Sequence, residues 1–335
     1  MYVKRNIGWG LIMRFAWKNL IFFTLYAGII FYAYHFLWLD FLDIPFQPLS
    51  VIGIAVAFYI GFKNSQSYDR FWEGRKIWGG IVNYSRTWAL QVISFVQTPD
   101  AEANKKIQRE MIYRHLAWIN ALRVQLRQPK SWSIKMNATV ENLHKRHGES
   151  QASCDEASPF VSAQEYADLK NRVNPATHLI KNQAKQLVDL KKKEIIDGFQ
   201  EDQLQSVLEE CYNLQGMCER IKNTPFPRQY GYFSKIFTWI FVLLIPFGLL
   251  NVFGSEDMGG SKAWYEFLMI PFSVLISWIF VSMESIGDNS EDPFEGRIND
   301  VPMTALCRTI EIDLRDMLDE EELPDPVQPQ DNILY

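Results

Sequence analysis

Bulky side chains recur at every fourth position of a short segment that follows Pro45. Ser50, Ile54, Phe58 and Phe62 fall on one face of a helix, because four residues make little more than one helical turn. If these side chains line a pore, they form a narrow dry constriction, which can gate ion flow by dewetting. Bulky residues facing lipid are the alternative, and the spacing alone does not separate the two.

Small residues form a second stripe on the same segment. Gly53, Ala57 and Gly61 also follow one another at four-residue steps. Small side chains at this spacing let membrane helices approach closely. In the pore interpretation, this stripe packs against neighbouring helices while Ile54 and Phe58 line the constriction.

Two clusters of acidic, histidine or cysteine residues could be considered as metal sites. The acidic string Asp288–Glu295 is compatible with a hard cation or with a solvated turn, and its spacing does not fit the twelve-residue calcium loop. His144 and His147, with Cys154 further on, are separated by a lysine and an arginine and lack a complete ligand set. We therefore expect no metal site and no cofactor.

Catalytic motifs are missing from the sequence. It contains no serine-nucleophile, phosphate-loop, dinucleotide-binding or zinc-protease signature. The net charge of -5 gives no basic excess of the kind that binds nucleic acid. The chain is expected to be neither an enzyme nor a nucleic-acid-binding protein.

Four apolar runs would position these residues. They are Asn19–Leu39, Phe46–Phe62, Tyr230–Phe253 and Ala263–Met283. About 20 helical residues cross a hydrocarbon core of roughly 30 Å, so each run predicts a transmembrane helix, the second at the short end of the range. Pro246 and Pro271 lie inside the last two runs and predict kinks there.

Basic residues set the orientation. Lys and Arg precede the first run and follow the second, whereas the short loop between them carries Asp40 and Asp43 and no basic residue. The positive-inside rule then places both termini and the long middle segment in the cytosol.

The sequence thus predicts an all-α integral membrane protein with about four transmembrane helices and a large cytosolic helical region. Apolar residues at helical spacing predict a helix over 105–127 and helices over 176–222 with a break near Gly198, whereas 145–161 is typical of a loop. The predicted segments are 1–63 with the first two spans, 64–229 as the cytosolic region, 230–283 with the last two spans, 284–322 as a cytosolic segment, and 323–335 as an extended tail.

Three strings resemble the bestrophin family, and specifically its bacterial branch. The first is NSQSYDRFWEGRKIWG at 64–79, and the second is CERIKNTPFP at 218–227. The third comprises EDPFE at 291–295, NDVP at 299–302 and CRTIE at 307–311. They occur in the family's order relative to four spans, so the resemblance covers most of residues 1 to 320. The polar stretch at about 140–175 is extra length.

The resemblance implies a homopentamer in which each subunit contributes four spans and a cytosolic helical body around one axial pore. The family's neck carries three bulky apolar residues at four-residue steps on the second span. Ile54 and Phe58 match the second and third of these, whereas Ser50 takes the first position and predicts a wider or wetter outer neck. The family's cytosolic constriction falls near Phe199–Leu204, where Asp202 is the matching residue. A ring of such carboxylates would favour cations.

Animal members of the family are calcium-activated chloride channels, and their calcium clasp lies just after the fourth span. Only Glu291 and Asp292 remain here of its acidic run, as a residual cation-binding cluster. Ser282 and Ser285 stand where amide side chains are expected, so calcium activation is not predicted.

The resulting hypothesis is a pentameric channel that passively conducts monovalent ions across a bacterial inner membrane, with either cations or chloride as the permeant species. Its partners would be monovalent ions, membrane lipid and further copies of itself. A secondary transporter is the first alternative, although the spans carry no midplane charge. A membrane-anchored scaffold that binds a cytosolic protein is the second.

Overall fold

The structure of this chain is a computed structural model that describes residues 1–131, 154–254 and 262–335. Its regular structure within these residues is helical, which confirms the predicted all-α class. The α-helices are α1 (Trp9–Leu37), α2 (Phe46–Phe95), α3 (Ala101–Arg127), α4 (Ala163–Lys170), α5 (Pro175–Lys192), α6 (Gly198–Asn223), α7 (Arg228–Gly254), α8 (Lys262–Phe267), α9 (Met269–Ser290) and α10 (Met303–Asp316). Two 3-10 helices, Asp40–Leu42 and Cys154–Phe160, complete the set for the described residues.

Four helical segments are long and apolar enough to cross a membrane. They are Trp9–Leu37, Asp40–Phe95, Arg228–Gly254 and Trp264–Ser290. Each overlaps one of the four apolar runs, so the predicted number of spans is confirmed.

Helix α2 continues far beyond the apolar run that predicted it. It has 50 residues and ends at Phe95. No proline occurs between Pro48 and that end, and Pro48 itself lies in the first turn, where the missing N–H has no helical partner to lose. The change from apolar to polar residues at Lys63 is therefore not a helix end.

The fourth apolar run is divided at Leu268 rather than kinked as one helix. The N–H of Leu268 donates to the carbonyl of Tyr265 at 3.0 Å, which closes α8 tightly, and α9 begins at the next residue. Pro271 explains the division, because its ring clashes with the carbonyl four residues earlier, at Phe267. The predicted outer loop near 254–262 lies largely outside the described residues.

The chain forms two compact units, each discontinuous in sequence. The membrane unit consists of Lys4–Asp69 and Phe226–Glu291. Its buried apolar core is built by α1, α2, α7 and α9, with members that include Phe23, Leu49, Ile60, Phe241 and Met269. Apolar side chains that remain exposed on these helices are expected where lipid or another subunit takes the place of water.

The helical body consists of Met1–Val3, Arg70–Pro225 and Asp292–Tyr335. Trp78, Trp88 and Trp118 are fully buried in its core. The predicted helices at 105–127 and 176–222 are confirmed as α3, α5 and α6. The break falls at 193–197, where Asp197 caps α6 through a reciprocal capping box with Gln200.

Two predictions for the polar segments need correction. Residues 154–160 form a 3-10 helix and α4 follows, so the C-terminal part of the predicted loop is ordered; residues 132–153 lie outside the described residues. The tail has no regular structure up to residue 329, but its end is not solvated. Gln330 and Ile333 exchange backbone hydrogen bonds of 2.9 and 2.8 Å across a two-residue turn, and Ile333 is 2% exposed.

Candidate functional site

Helix α2 has a buried seam and an exposed stripe. The seam runs through residues spaced alternately by four and three positions, which keeps them on one face. It consists of Leu49, Gly53, Val56, Ile60, Lys63 and Ser67, all buried. The exposed stripe lies on another face of the same turns. Its most exposed members, Ile54 and Phe58, are 71% and 78% exposed in the single subunit.

The three predicted neck residues therefore differ in their surroundings. Ile54 and Phe58 project away from the core of the membrane unit, whereas Ser50 is half-buried. The hydroxyl of Ser50 donates to the carbonyl of Gln47 at 2.7 Å, so it is satisfied within the first turn of α2. An apolar surface this exposed on a membrane helix must be covered by lipid or by other subunits.

Aromatic side chains from α7 support the inner part of this stripe. Tyr59 stacks on Tyr230 with ring centroids 6.3 Å apart and meets the edge of Phe237 at 5.9 Å. Phe62 also contacts Tyr230, at 5.9 Å. These contacts hold α2 against α7 on the side next to Phe58.

The stripe of small residues is only partly used within the subunit. Gly53 is buried so closely against Phe241 that a β-carbon at this position would lie 2.8 Å from the ring. Ala57 and Gly61 are exposed, and nothing among the described residues lies within 4 Å of a β-carbon at Gly61. The prediction that this stripe packs against neighbouring helices is confirmed at Gly53 for the subunit itself.

An apolar cavity of about 330 Å³ opens between α2, α7 and α9. Ser50, Gly53, Ile54 and Ala57 are among the residues that line it from α2. Phe241 and Phe280 are among the residues opposite. The flank of the exposed stripe is therefore not filled by the subunit's own side chains.

Asp202, the predicted residue of the cytosolic constriction, lies in the second turn of α6 in the helical body. Its side chain is exposed and makes no ion pair or hydrogen bond with the part of the chain that the structure describes. Phe199, three residues earlier, is 84% exposed. One end of α6 thus presents a carboxylate and an aromatic ring to the exterior of the subunit.

The residual acidic cluster is faced by the protein's own cations. In the membrane unit, Arg228 contacts the carboxylate of Glu291 at 3.2 Å. In the helical body, Arg70 lies 3.9 Å from Asp292. The described residues contain no group of three or more His, Cys, Asp or Glu side chains that could hold a metal ion. A cation-binding role for Glu291 and Asp292 stays a prediction, and the His144–His147 pair lies outside the described residues.

A charged cluster where the apolar part of α2 ends was missed by the sequence reasoning. Lys63 is 1% exposed, and its ammonium donates to Glu284 at 2.6 Å and also to Asp288. The hydroxyl of Ser234 donates to the second oxygen of Glu284 at 2.5 Å. We call Lys63, Ser234, Glu284 and Asp288 the α2 anchor. Its only sequence signal is one lysine and one glutamate directly after two apolar runs.

Comparison with known proteins places these features in a family. The sequence profile described as Bacterial/Fungal Bestrophin protein matches residues 6–316. One similar relative is the voltage-dependent anion channel-forming protein mll4386 of Mesorhizobium japonicum, with 28% identity over 89% of this chain and 83% of the relative. Another is the voltage-dependent anion channel-forming protein YneE of Escherichia coli K12, with 27% identity over 87% of this chain and 84% of the relative.

The fold is also that of a solved structure. The crystal structure of a bacterial bestrophin homologue from Klebsiella pneumoniae superposes with a TM-score of 0.73. The match covers 91% of this chain and 99% of the homologue at 24% sequence identity.

Proposed function

Because this chain belongs to the bacterial and fungal bestrophin family, we propose that it is an ion channel that assembles as a homopentamer around one axial pore. Ile54 and Phe58 of α2 form the hydrophobic neck of that pore, and Ser50 lies at its outer end. Asp202 contributes to a second constriction on the cytosolic side. Relatives that are named as channels support this function over that of an enzyme.

The observation that carries the proposal is the setting of α2. Ile54 and Phe58 are the members of the predicted stripe that the subunit leaves most exposed, while the seam behind them is buried. Five copies of such a helix around an axis would bring the exposed side chains together and exclude water between them. A short apolar ring of this kind opposes ion passage until it widens or wets.

Two observations bear on the charge of the permeant ion, and they favour opposite signs. The names of the relatives favour anions. The exposed carboxylate of Asp202, repeated five times around an axis, favours monovalent cations. The reversal potential in a salt gradient separates these alternatives.

We place the protein in a bacterial inner membrane with both termini in the cytosol. The basic residues after the second span support this orientation. That the two ends share one side is supported within the helical body, where the N–H of Val3 donates to the carbonyl of Asn332 at 2.9 Å and the N–H of Leu334 donates to the carbonyl of Met1 at 2.8 Å. Residues 1–3 and 332–334 therefore lie on the same side of the membrane.

The test is single-channel recording of the purified protein in planar bilayers under a KCl gradient. Phe58→Ala is expected to raise conductance or open probability severalfold, because a smaller side chain lowers the dewetting barrier. Leu25→Ala is the matched control, since Leu25 is 62% exposed on α1 and lies outside the proposed neck.

Asp202→Asn is recorded in the same series. If the carboxylate selects for cations, this variant moves the reversal potential toward that of chloride, whereas Glu209→Gln on the same helix leaves it unchanged. An absence of current from wild-type protein over a range of voltage, pH and calcium would overturn the channel proposal. Carrier-type flux without discrete openings would instead favour the secondary transporter, for which the buried charges of the α2 anchor are the supporting observation.

A further inference from the structure

We infer that Lys63 is a positioning residue for the neck. The α2 anchor fixes how α2 is set against α7 and α9, and in doing so it fixes how far Phe58 closes the pore. The role in gating rests on the proposed function, whereas the role in holding α2 does not.

The geometry of α2 gives the first step. Lys63 follows Phe58 by five residues, which turns its side chain roughly 140° around the helix axis. The exposures agree, since Phe58 is 78% exposed and Lys63 is 1% exposed. Lys63 therefore belongs to the buried seam, at a position of the repeat that is otherwise apolar or small. The other residues of the seam carry no charge.

The bonding of Lys63 gives the second step. Its ammonium bridges Glu284 and Asp288, two carboxylates one turn apart on α9. Ser234 of α7 holds the other oxygen of Glu284. Three helices of the membrane unit thus meet at one cation, and Glu284 is itself only 5% exposed.

Close packing gives the third step. The aliphatic stem of Lys63 lies over Gly287, where a β-carbon would be 3.3 Å from its Cε atom. The side-chain amide of the next residue, Asn64, donates to the carbonyl of Met283 at 3.1 Å. Lys63 and Asn64 therefore clasp one turn of α9, so α2 cannot rotate or slide there without breaking these bonds.

The charge balance gives the consequence. One lysine faces two carboxylates, and removing it leaves the buried charge of Glu284 without its cation and next to a second negative charge, which is strongly unfavourable. Both carboxylates stand on α9, so without the lysine they can be fully hydrated only if α2 moves away from α9 and admits water. Ile54 and Phe58 stand on the same helix, one to three turns from Lys63. A movement of α2 therefore changes their position relative to the pore axis.

The test measures two properties of the Lys63→Met variant. Lys63→Arg, which keeps the positive charge, is the conservative variant, and Lys235→Met is the matched control. Lys235 is exposed and lies next to Ser234 on α7. The first readout is the rate at which a membrane-impermeant thiol reagent modifies a cysteine introduced by Ile54→Cys. We expect Lys63→Met to change that rate by roughly tenfold, and Lys63→Arg to restore it in large part, because Arg keeps the charge at the buried pair.

The second readout is open probability in planar bilayers. Lys63→Met is expected to change open probability severalfold while the control keeps the wild-type value. Glu284→Gln is included because it keeps side-chain volume, so the inference remains testable if Lys63→Met does not assemble. An unchanged modification rate in both variants overturns the inference, whether or not the protein conducts. A changed rate in a protein without current supports the anchor and removes the proposed channel.

Discussion

At the scale of single residues, His115 shows how strongly the helical body controls a titratable side chain. Its ring lies beside Trp88 and Trp118, with centroids 6.0 and 4.9 Å away, and is fully buried. Nε2 lies 2.9 Å from the hydroxyl of Ser85, which itself donates to the carbonyl of Ile81. The hydroxyl proton is thus used, so Nε2 carries the proton of a neutral imidazole. Burial lowers the pKa of His115 to about 3.

We predict that His115 makes the folded state lose stability as the solution is acidified. Below about pH 6.5 the unfolded chain protonates this histidine and the folded chain does not, so the free energy of unfolding falls by about 1.4 kcal/mol per pH unit until the folded pKa is reached. His115→Gln removes this slope, although it adds an offset that does not depend on pH. Thermal unfolding in detergent from pH 7.5 to 5 measures the difference.

His178→Gln is the control for that slope, because this histidine on α5 is not enclosed. Equal slopes in His115→Gln and wild type would contradict the assignment.

Asp300 acts with the opposite sign. Burial raises its pKa to about 6, so it stabilises the folded state below its ordinary value of 3.8, and that stability is lost as the pH rises through 6. Because His115→Gln leaves Asp300 unchanged, the difference in slope between this variant and wild type measures the contribution of His115 alone.

Residue spacing predicted that Ile54 and Phe58 share one face of α2, but it did not predict the α2 anchor on the opposite side of that helix. Ile54 and Phe58 share a face by helical period alone, which the sequence displays. Lysine is almost never fully buried, so Lys63 is expected to be solvated after its apolar run. Its burial depends on Glu284 and Asp288, which lie more than 200 residues further along the chain, and no local pattern links them.

At the scale of elements, hydropathy located the spans, and Pro271 divides one of them, whereas Pro246 lies inside α7 without ending it. The run at 263–283 is apolar enough to be read as one span, and Pro271 predicted a kink in it, yet the helix is divided at Leu268. The opposite holds for α2, where composition changes sharply at Lys63 while the helix continues. Hydropathy reports the surroundings of a helix, whereas backbone chemistry sets its length.

Packing between α2 and α7 gives a prediction at this scale. Gly53→Ala is expected to lower the free energy of unfolding by about 1–3 kcal/mol, because the added methyl group meets the ring of Phe241. Gly61→Ala is the matched control on the same helix, since open space surrounds that position, and it should be neutral or slightly stabilising. Thermal unfolding of the purified protein checks both.

The partner residue makes this prediction specific. Adding Phe241→Leu to Gly53→Ala should recover much of the loss, because the smaller side chain leaves room for the methyl group. If Gly53→Ala and Gly61→Ala have the same stability, α2 and α7 do not approach as closely as described.

At the scale of the whole molecule, the two ends of the described chain are joined within the helical body. Tyr2 pairs with Ile333 in an antiparallel bridge, and both pack with Tyr335 and Ile298. The N–H of Ala305 donates to the carbonyl of Tyr335 at 2.7 Å. Three prolines and low apolar content predicted an extended tail, because the few apolar residues that hold its end are spread over distant parts of the sequence.

We predict that Ile333→Ala releases this joint. The substitution removes a buried side chain, so amide hydrogens of Val3 and Leu334 should exchange roughly tenfold faster or more. Leu323→Ala is the control, because Leu323 lies in the same tail and is 39% exposed. Hydrogen exchange read by mass spectrometry measures both. Unchanged protection in Ile333→Ala would show that the backbone bonds alone hold the two ends.

The discontinuity of the membrane unit also has a consequence for the time course of synthesis. Its first part ends at Asp69 and its second begins at Phe226, so Arg70–Pro225 must be translated in between. At about 5–20 residues per second, this interval lasts roughly 8–30 s. Throughout it, α1 and the membrane part of α2 exist while α7 and α9 do not, and Lys63 has neither of its carboxylates. In a ribosome-bound chain of this protein, the charge of Lys63 therefore has no carboxylate partner for many seconds. We expect water, lipid headgroups or insertion factors to solvate that charge during this interval.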